Sequence, residues 1–154
     1  SCSKNFAVYR ERVGAISVVC ADSNKASDVV TVINSLTRKN YSMPPTHGTG
    51  IIDVILHDEA LTALWREEVA GMRKRINGLR KTLSDKIEAA GIDQDFSFLQ
   101  RQSGMFSFLG LSVDQVHRLR EEYSIYTVNS ARVNIASFND SNMDYFVDAL
   151  KAIV

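Results

Sequence analysis

The sequence has few of the residues that mark disulfide-bonded, metal-binding or membrane-embedded proteins. Its only two cysteines, Cys2 and Cys20, belong to no pair or Cys/His cluster spaced for ligation. We therefore expect buried free thiols, in a reducing compartment. The three histidines show no metal-ligand arrangement, so no metal is expected. No apolar run approaches the roughly 20 residues that cross a bilayer, and no targeting segment leads into Ser1, so we expect a chain cut from a longer one.

Charge also excludes some partners. Eighteen basic residues balance eighteen acidic ones, so no overall field favours nucleic acid or an anionic membrane. With 154 residues, of which 45% are hydrophobic, the chain is long enough for one sizeable core, or for two small cores joined by a long element. Any anion must be bound locally, by particular side chains.

The first third of the chain has the pattern of an α/β layer. Residues 13–21 are apolar or small and predict a strand covered on both faces. Apolar residues at helical spacing predict a helix over 24–39. Residues 41–50 hold both prolines and predict an ordered loop, which a short helix over 51–56 follows. Strand followed by helix favours an α/β arrangement.

A long helix is predicted over 59–90. Asp58 is placed to cap its first turn, and Gly91 is a natural stop. Apolar residues step by threes and fours between them, which gives about 48 Å of helix at 1.5 Å per residue. Such a helix can bridge two domains. We place the boundary within it near residue 72, which predicts domains 1–72 and 73–154.

The last third mixes short strands and helices. Strands are predicted at 96–99, 105–109 and 133–136, and a helix at 113–123 is predicted from a capping box of Ser112 and Gln115. A final helix uses the apolar residues Met143, Phe146, Val147, Leu150 and Ile153. These elements predict an α+β unit.

The opening segment carries the most specific motif. A single lysine such as Lys4 is usually a solvated surface charge. Residues 1–14, however, resemble position by position the cofactor attachment motif of class I pyridoxal-phosphate-dependent aminotransferases, the aspartate aminotransferase family. Residues 38–48 are similar to the family's loop across the dimer interface, and 103–108 and 129–136 look like landmarks of its small domain. The resemblance covers nearly the whole chain.

The resemblance implies a fold and an activity. The fold class is α/β: the end of the large domain of a fold type I transferase, followed by a small α+β domain. The implied activity moves the amino group between L-aspartate or L-glutamate and 2-oxo acids by a ping-pong mechanism. The implied cofactor is pyridoxal 5'-phosphate, held as a Schiff base by Lys4, whose freed amine then moves the substrate's α-proton. The compartment would be cytoplasmic or mitochondrial.

Three further residues of the motif are implied as cofactor ligands. Arg12 offers a planar fork suited to phosphate oxygens, and Ser1 and Ser3 offer hydroxyl groups. By resemblance Arg12 and Ser1 bind the phosphate, with Ser3 as a further ligand. Judged without the motif, Arg12 is better explained by an ion pair with Glu11 or another carboxylate.

Arg132 is the expected ligand of the substrate's α-carboxylate. It lies in an otherwise short-polar and aliphatic stretch, where a partly buried guanidinium requires an anion. The family's matching arginine binds that carboxylate in a bidentate manner. The alternative is an internal ion pair with Asp140 or Glu122. Phe106 is expected to line the substrate cavity, although a phenylalanine in such a run is more often core.

Arg38 and Ser42 are expected to act across a homodimer interface. In the family's aspartate-specific members, the arginine that matches Arg38 reaches into the neighbouring subunit and pairs with the substrate's distal carboxylate. Judged alone, Arg38 is a helix C-terminal cation and Ser42 a loop-capping residue. Amino acids and 2-oxo acids are therefore the expected partners, and each active site would be built from two chains.

Three alternatives remain open. One is an aromatic-amino-acid aminotransferase, because some relatives keep both arginines and also accept apolar side chains. A helical dimerisation module would use the heptad-like stripe from Trp65 to Leu83, but this stripe spans fewer than three heptads and leaves the predicted strands unexplained. An inactive C-terminal fragment would act only as a structural or dimerisation piece.

Overall fold

The computed structural model describes residues 1–154. The chain divides into two compact units, Ser1–Val69 and Ala70–Val154. The division falls close to the boundary placed near residue 72, within one long helix. That the units are parts of a large and a small domain stays a prediction. No helix combines the length and the apolar character that a membrane span requires.

The first unit is helical. Helix α1 spans Ser23–Asn40, and its first turn is capped by Asp22, whose carboxylate accepts a hydrogen bond from the backbone N–H of Lys25 at 2.8 Å. This agrees with the helix predicted over 24–39. Residues 41–46 form a loop, and helix α2 follows at His47–His57. Helix α2 therefore begins earlier than predicted and takes in the last four residues of the predicted loop.

A glycine explains why α2 can begin early. A Cβ atom at Gly48 would lie 2.6 Å from the Cβ of Glu11 and closer still to the side chain of Val13. Only a residue without a side chain lets the first turn of α2 approach that segment. The imidazole of His47 adds a hydrogen bond with the Glu11 carboxylate, with 2.9 Å between Nδ1 and Oε2.

The strand predicted over 13–21 is wrong. Residues 13–20 form no regular element, and most of their apolar side chains are exposed, with Val19 exposed by 99% and Ile16 by 77%. A strand needs a neighbour for its backbone N–H and C=O groups, and both strands of this chain lie in the second unit. The prediction of buried cysteines is also wrong, because Cys2 and Cys20 are half-buried, although both are free thiols.

The long helix is confirmed. Helix α3 spans Glu59–Ala89. The carboxylate of Asp58 accepts the N–H of Leu61 at 2.9 Å, as its predicted capping role requires. Gly91 follows the end of the helix with φ +67°, a left-handed conformation that glycine adopts without strain.

The second unit holds the hydrophobic core. Strands β1 (Phe106–Phe108) and β2 (Arg132–Asn134) pair antiparallel, with Ser107 opposite Val133. Helices α5 (Val113–Tyr123) and α6 (Met143–Ile153) pack together. The buried apolar side chains all belong to this unit, among them Leu83, Ile87, Leu99, Leu109, Val116, Leu119, Val133, Ile135, Phe146, Val147 and Leu150.

Two of the predicted strands needed correction. Residues 96–99 form no strand, because the chain turns at Asp95, whose carboxylate accepts the N–H of Ser97 at 2.7 Å, and continues into the short helix α4 at Phe98–Arg101. The strand predicted over 133–136 begins one residue earlier and ends at Asn134, where a 3₁₀ helix takes over. The capping box of Ser112 and Gln115 before α5 is present as predicted.

Candidate cofactor and substrate site

Lys4 lies exposed in a tight turn. The N–H of Phe6 donates to the carbonyl of Cys2 at 3.2 Å, and the N–H of Ala7 donates to the carbonyl of Lys4 at 3.4 Å. The Lys4 ammonium lies over the ring of Tyr9, 3.7 Å from its centroid. The amine is therefore presented by a closed turn and rests on an aromatic face.

A tryptophan of α3 holds this turn in place. The indole N–H of Trp65 donates to the carbonyl of Asn5 at 2.7 Å. Its ring stacks on Phe6, with 4.6 Å between centroids. A tryptophan on the apolar stripe of a helix would ordinarily be expected to pack in a core. In the structure it fixes the residues that follow the lysine.

The predicted phosphate ligands Ser1, Ser3 and Arg12 lie on neighbouring segments of one loop. The N–H of Cys2 donates to the carbonyl of Val13 at 2.9 Å, which joins the start of the chain to the residues around Arg12. The hydroxyls of Ser1 and Ser3 are 3.0 Å apart, and Ser3 is buried. These three predicted ligands therefore lie in one loop with the lysine.

Arg12 has no carboxylate partner. Its Nη1 donates to the carbonyl of Tyr9 at 3.2 Å, and the side chain is otherwise exposed. Glu11, which was its expected ion-pair partner in the alternative interpretation, pairs with His47 instead. That alternative is therefore wrong for Glu11, and most donors of the Arg12 fork remain available to an anion.

Arg38 and Ser42 lie on the exposed end of α1. Arg38 is in the last turn, and no ion pair of the chain involves it. Ser42 has a left-handed backbone, φ +65°, and its N–H donates to the carbonyl of Thr37 at 3.2 Å. The loop-capping role of Ser42 is thus present, and the role of both residues across an interface stays a prediction.

In the second unit, Arg132 and Phe106 come together. Arg132 lies in β2, and its guanidinium carbon is 4.8 Å from the centroid of the Phe106 ring. The expectation of partial burial is wrong, because alternation along the strand turns Val133 into the core and Arg132 to the surface. No ion pair holds Arg132, and Glu122 pairs with Arg118 at 2.8 Å. The alternative of an internal ion pair is therefore not found.

A cavity of about 350 Å³ adjoins this pair. Arg132 is its only charged lining residue. The wall is mostly aromatic and aliphatic, with Phe106, Tyr126, Val128, Phe138, Tyr145 and Phe146 among the lining residues. A single arginine in an apolar wall can hold one carboxylate and leave the rest of a ligand against hydrocarbon. No group of three or more His, Cys, Asp or Glu residues is arranged to hold a metal ion.

Two alanines were missed by the sequence analysis. Ala7 in the lysine turn and Ala131 directly before Arg132 both have φ +56°. This left-handed conformation is unfavourable for any residue with a Cβ atom. Alanine carries no sequence signal for it, so no pattern could have identified these positions. Both alanines lie beside predicted site residues, where backbone strain is often concentrated.

Known proteins resemble this chain along its whole length. The family model for aminotransferases of class I and II matches residues 1–150. The aspartate aminotransferase of Salmonella typhi is 44% identical over 154 residues, which are 100% of this chain and 39% of that protein. The aromatic-amino-acid aminotransferase of Escherichia coli K12 is 40% identical over the same share of each chain.

A solved structure agrees with these relatives. The aromatic-amino-acid aminotransferase of Burkholderia pseudomallei, covalently bound to pyridoxal phosphate, superposes with a TM-score of 0.87 at 43% identity. The match covers 99% of this chain and 38% of that one. The chain therefore spans about two fifths of the length of the relatives that it matches.

Proposed function

This chain belongs to the class I and II aminotransferase family, and we propose that it is the C-terminal part of a homodimeric aspartate aminotransferase in which Lys4 carries pyridoxal phosphate. The observation that supports this most directly is the loop of residues 1–14. It presents an exposed amine from a closed turn, with two hydroxyls and an uncommitted guanidinium on adjoining segments.

The donor set fits the cofactor. A phosphate dianion is bound best by a planar guanidinium together with hydroxyl groups. Arg12 uses only Nη1 within the chain, and the hydroxyls of Ser1 and Ser3 lie side by side. An aldehyde is held covalently and reversibly by an amine that can lose its proton, and Lys4 is the one lysine of this loop. We assign Lys4, Ser1, Ser3 and Arg12 to the cofactor.

The proposed mechanism gives each of these side chains a role. When bound, pyridoxal phosphate supplies an electron sink for the carbon that loses a proton. Lys4 would hold the cofactor through its amine, and that amine, once free, would take the proton from the substrate's Cα as general base and give a proton back as general acid. Arg132 binds the α-carboxylate with its two parallel N–H groups, and Phe106 supports the guanidinium through its ring face.

Substrate choice is assigned to Arg38. Its guanidinium is exposed and has no carboxylate partner in its own chain. We infer that it reaches the neighbouring subunit, with Ser42 in the same loop, and binds the distal carboxylate of aspartate or glutamate. Two arginines would then hold the two ends of a dicarboxylic substrate.

A second candidate is an aromatic-amino-acid aminotransferase. It is favoured by the cavity beside Arg132, because a mostly aromatic and aliphatic wall suits a side chain without charge. Relatives of both kinds match the chain at similar identity. The two candidate functions give Lys4 and Arg132 the same roles. They differ in how much Arg38 contributes to substrate selectivity.

The test is a comparison of substrates in the full-length enzyme. Arg38→Leu should lower kcat/KM for aspartate by about 30-fold or more, because loss of a buried charge pair costs about 2 to 5 kcal/mol. The value for phenylalanine should change little. Lys39→Leu, at the neighbouring exposed position, is the matched control and should leave both values unchanged. Equal losses for both substrates would remove Arg38 as the determinant, and a wild-type enzyme that turns over neither amino acid would refute the proposal.

A further inference from the structure

Arg80 is a buried cation without a counter-ion. Its side chain is 1% exposed, and no carboxylate pairs with it. Nη1 donates to the carbonyl of Leu99 at 3.2 Å and to the hydroxyl of Ser107 at 2.6 Å, while Nη2 donates to the carbonyls of Gly104 at 2.6 Å and Phe106 at 2.9 Å. One guanidinium on α3 therefore binds β1 and the segments that lead into it.

Burying a charge in this way is unfavourable for stability alone. Desolvation of an ion costs several kcal/mol even after relaxation, and a well-packed apolar residue commonly serves stability as well or better. Burial lowers the pKa of the Arg80 guanidinium from its usual value, and Nε has no hydrogen-bond partner. The guanidinium instead fixes local geometry, because its planar fork holds four hydrogen-bond acceptors in place at once.

A second arginine of α3, Arg75, binds the segment that follows the other strand, although its own side chain is exposed. Nη1 of Arg75 donates to the carbonyl of Ala136 and Nη2 to that of Phe138, both at 3.1 Å. These carbonyls lie in and just after the 3₁₀ helix that follows β2. Arg75 has no carboxylate partner either. Two arginines five residues apart therefore connect a single helix to strand β1 and to the segment that directly follows β2.

The ribbon carries the predicted substrate arginine on its opposite face. Ser107 and Val133 are paired and buried, whereas Phe106 and Arg132 project from the other side and contact each other. The N–H of Leu109 donates to the carbonyl of Ala131 at 3.0 Å, which extends the strand pairing one residue beyond Arg132. A shift of β1 or β2 would therefore move the guanidinium of Arg132.

We propose that Arg75 and Arg80 are positioning residues that fix the two-stranded ribbon in the place from which Arg132 binds the substrate's carboxylate. This inference rests on the proposed role of Arg132. It gives the two guanidinium groups a role at sites where the chain provides only neutral acceptors. The sequence does hold a signal for Arg80, since it lies between Ile76 and Leu83 on the apolar stripe of α3.

The test uses the full-length holoenzyme. Arg75→Met removes two hydrogen bonds from an exposed side chain, and Arg80→Lys keeps the charge but loses the fork. Each should raise KM for aspartate and for phenylalanine, which share the α-carboxylate, by about 10- to 100-fold, because small displacements of a binding group have effects of this size. The visible absorption of the bound cofactor should stay unchanged. Arg73→Met, on an exposed turn of the same helix with no hydrogen bond to the ribbon, should leave KM unaltered.

The outcomes separate this inference from the proposed function. Arg132→Lys should itself raise KM for both substrates. If Arg132→Lys leaves KM unchanged, the proposed role of Arg132 fails and the positioning inference fails with it. Circular dichroism checks that Arg75→Met is folded. If Arg132→Lys raises KM but a folded Arg75→Met changes only thermal stability, then the positioning inference alone is refuted. The Arg75 variant decides the matter even if Arg80→Lys does not fold.

Discussion

Replacing Ala7 by glycine should stabilise the protein, against the usual effect of glycine. Ala7 has φ +56° and its methyl group is exposed. A left-handed backbone costs a residue with a Cβ atom roughly 1–2 kcal/mol. Glycine relieves that strain but loses about 0.5–1 kcal/mol more conformational entropy on folding. The net gain in the free energy of unfolding should therefore be about 0.5–1 kcal/mol.

The same substitution at Ala131 should have almost no effect. Its φ is the same, but Ala131 is fully buried. Removing its methyl group sacrifices about 0.8 kcal/mol of apolar burial, which cancels the relief of strain. Ala63→Gly, at an exposed position inside α3, is the control and should cost about 1 kcal/mol.

Urea unfolding at one fixed protein concentration measures all three variants, so that the proposed dimerisation cannot alter the comparison of their midpoints. The midpoints should rank Ala7→Gly above wild type, Ala131→Gly close to wild type and Ala63→Gly below it. If Ala7→Gly lowers the midpoint as much as Ala63→Gly does, residue 7 is not left-handed and the described lysine turn is incorrect.

Two further predictions concern a close approach and an ion pair. Gly48→Ala should lower the thermal midpoint and weaken cofactor binding, because the added Cβ would displace the segment of Val13. The control Gly50→Ala, whose Cβ would meet nothing within 4 Å, should be neutral or stabilising. Thermal melts and cofactor titrations of both variants test this, and equal effects would contradict the close approach at Gly48. The Arg118 side chain lowers the pKa of Glu122 from 4.5, so the pair's contribution is complete above the unfolded-state pKa and is lost as pH falls through the folded-state value. Glu122→Gln should therefore flatten the acid limb of stability against pH in thermal melts, and an unchanged limb would exclude the pair.

Elements set by local interactions were predicted well from the sequence. The long helix α3 has a cap at Asp58 and a glycine stop at Gly91, both of which act within a few residues of the helix ends. Helix α5 begins at a capping box of Ser112 and Gln115 that is readable from residue types and spacing alone. In such cases the sequence contains both partners of the interaction.

Elements that need a distant partner were predicted poorly. The apolar run over 13–21 has the composition of a buried strand, but pairing depends on a neighbour that this chain does not supply. Residues 96–99 have an apolar content that suits either a strand or a helical turn, and the turn at Asp95 decides between them. Short apolar runs carry no information about which alternative the surrounding structure selects.

Some features of the candidate site can likewise be predicted from local sequence, whereas others depend on distant residues. Resemblance to the family predicts roles for Lys4, Arg12 and Arg132 from their positions in a motif. It did not indicate that Arg132 would be exposed, since the orientation of a strand residue depends on which face of the ribbon is covered. Nor could it indicate the neutral acceptors around Arg80, which come from residues 19 to 27 positions away.

The most direct test of the account is the site of covalent attachment of the cofactor. The full-length enzyme, reduced with borohydride in the presence of pyridoxal phosphate, should lose its visible absorption band and yield one modified peptide, labelled at Lys4. Lys4→Ala should yield no labelled peptide, while Lys25→Ala, at an exposed lysine of α1, should be labelled like the wild type. Labelling at any other lysine, or a wild-type protein that stays colourless with the cofactor, would contradict the central claim.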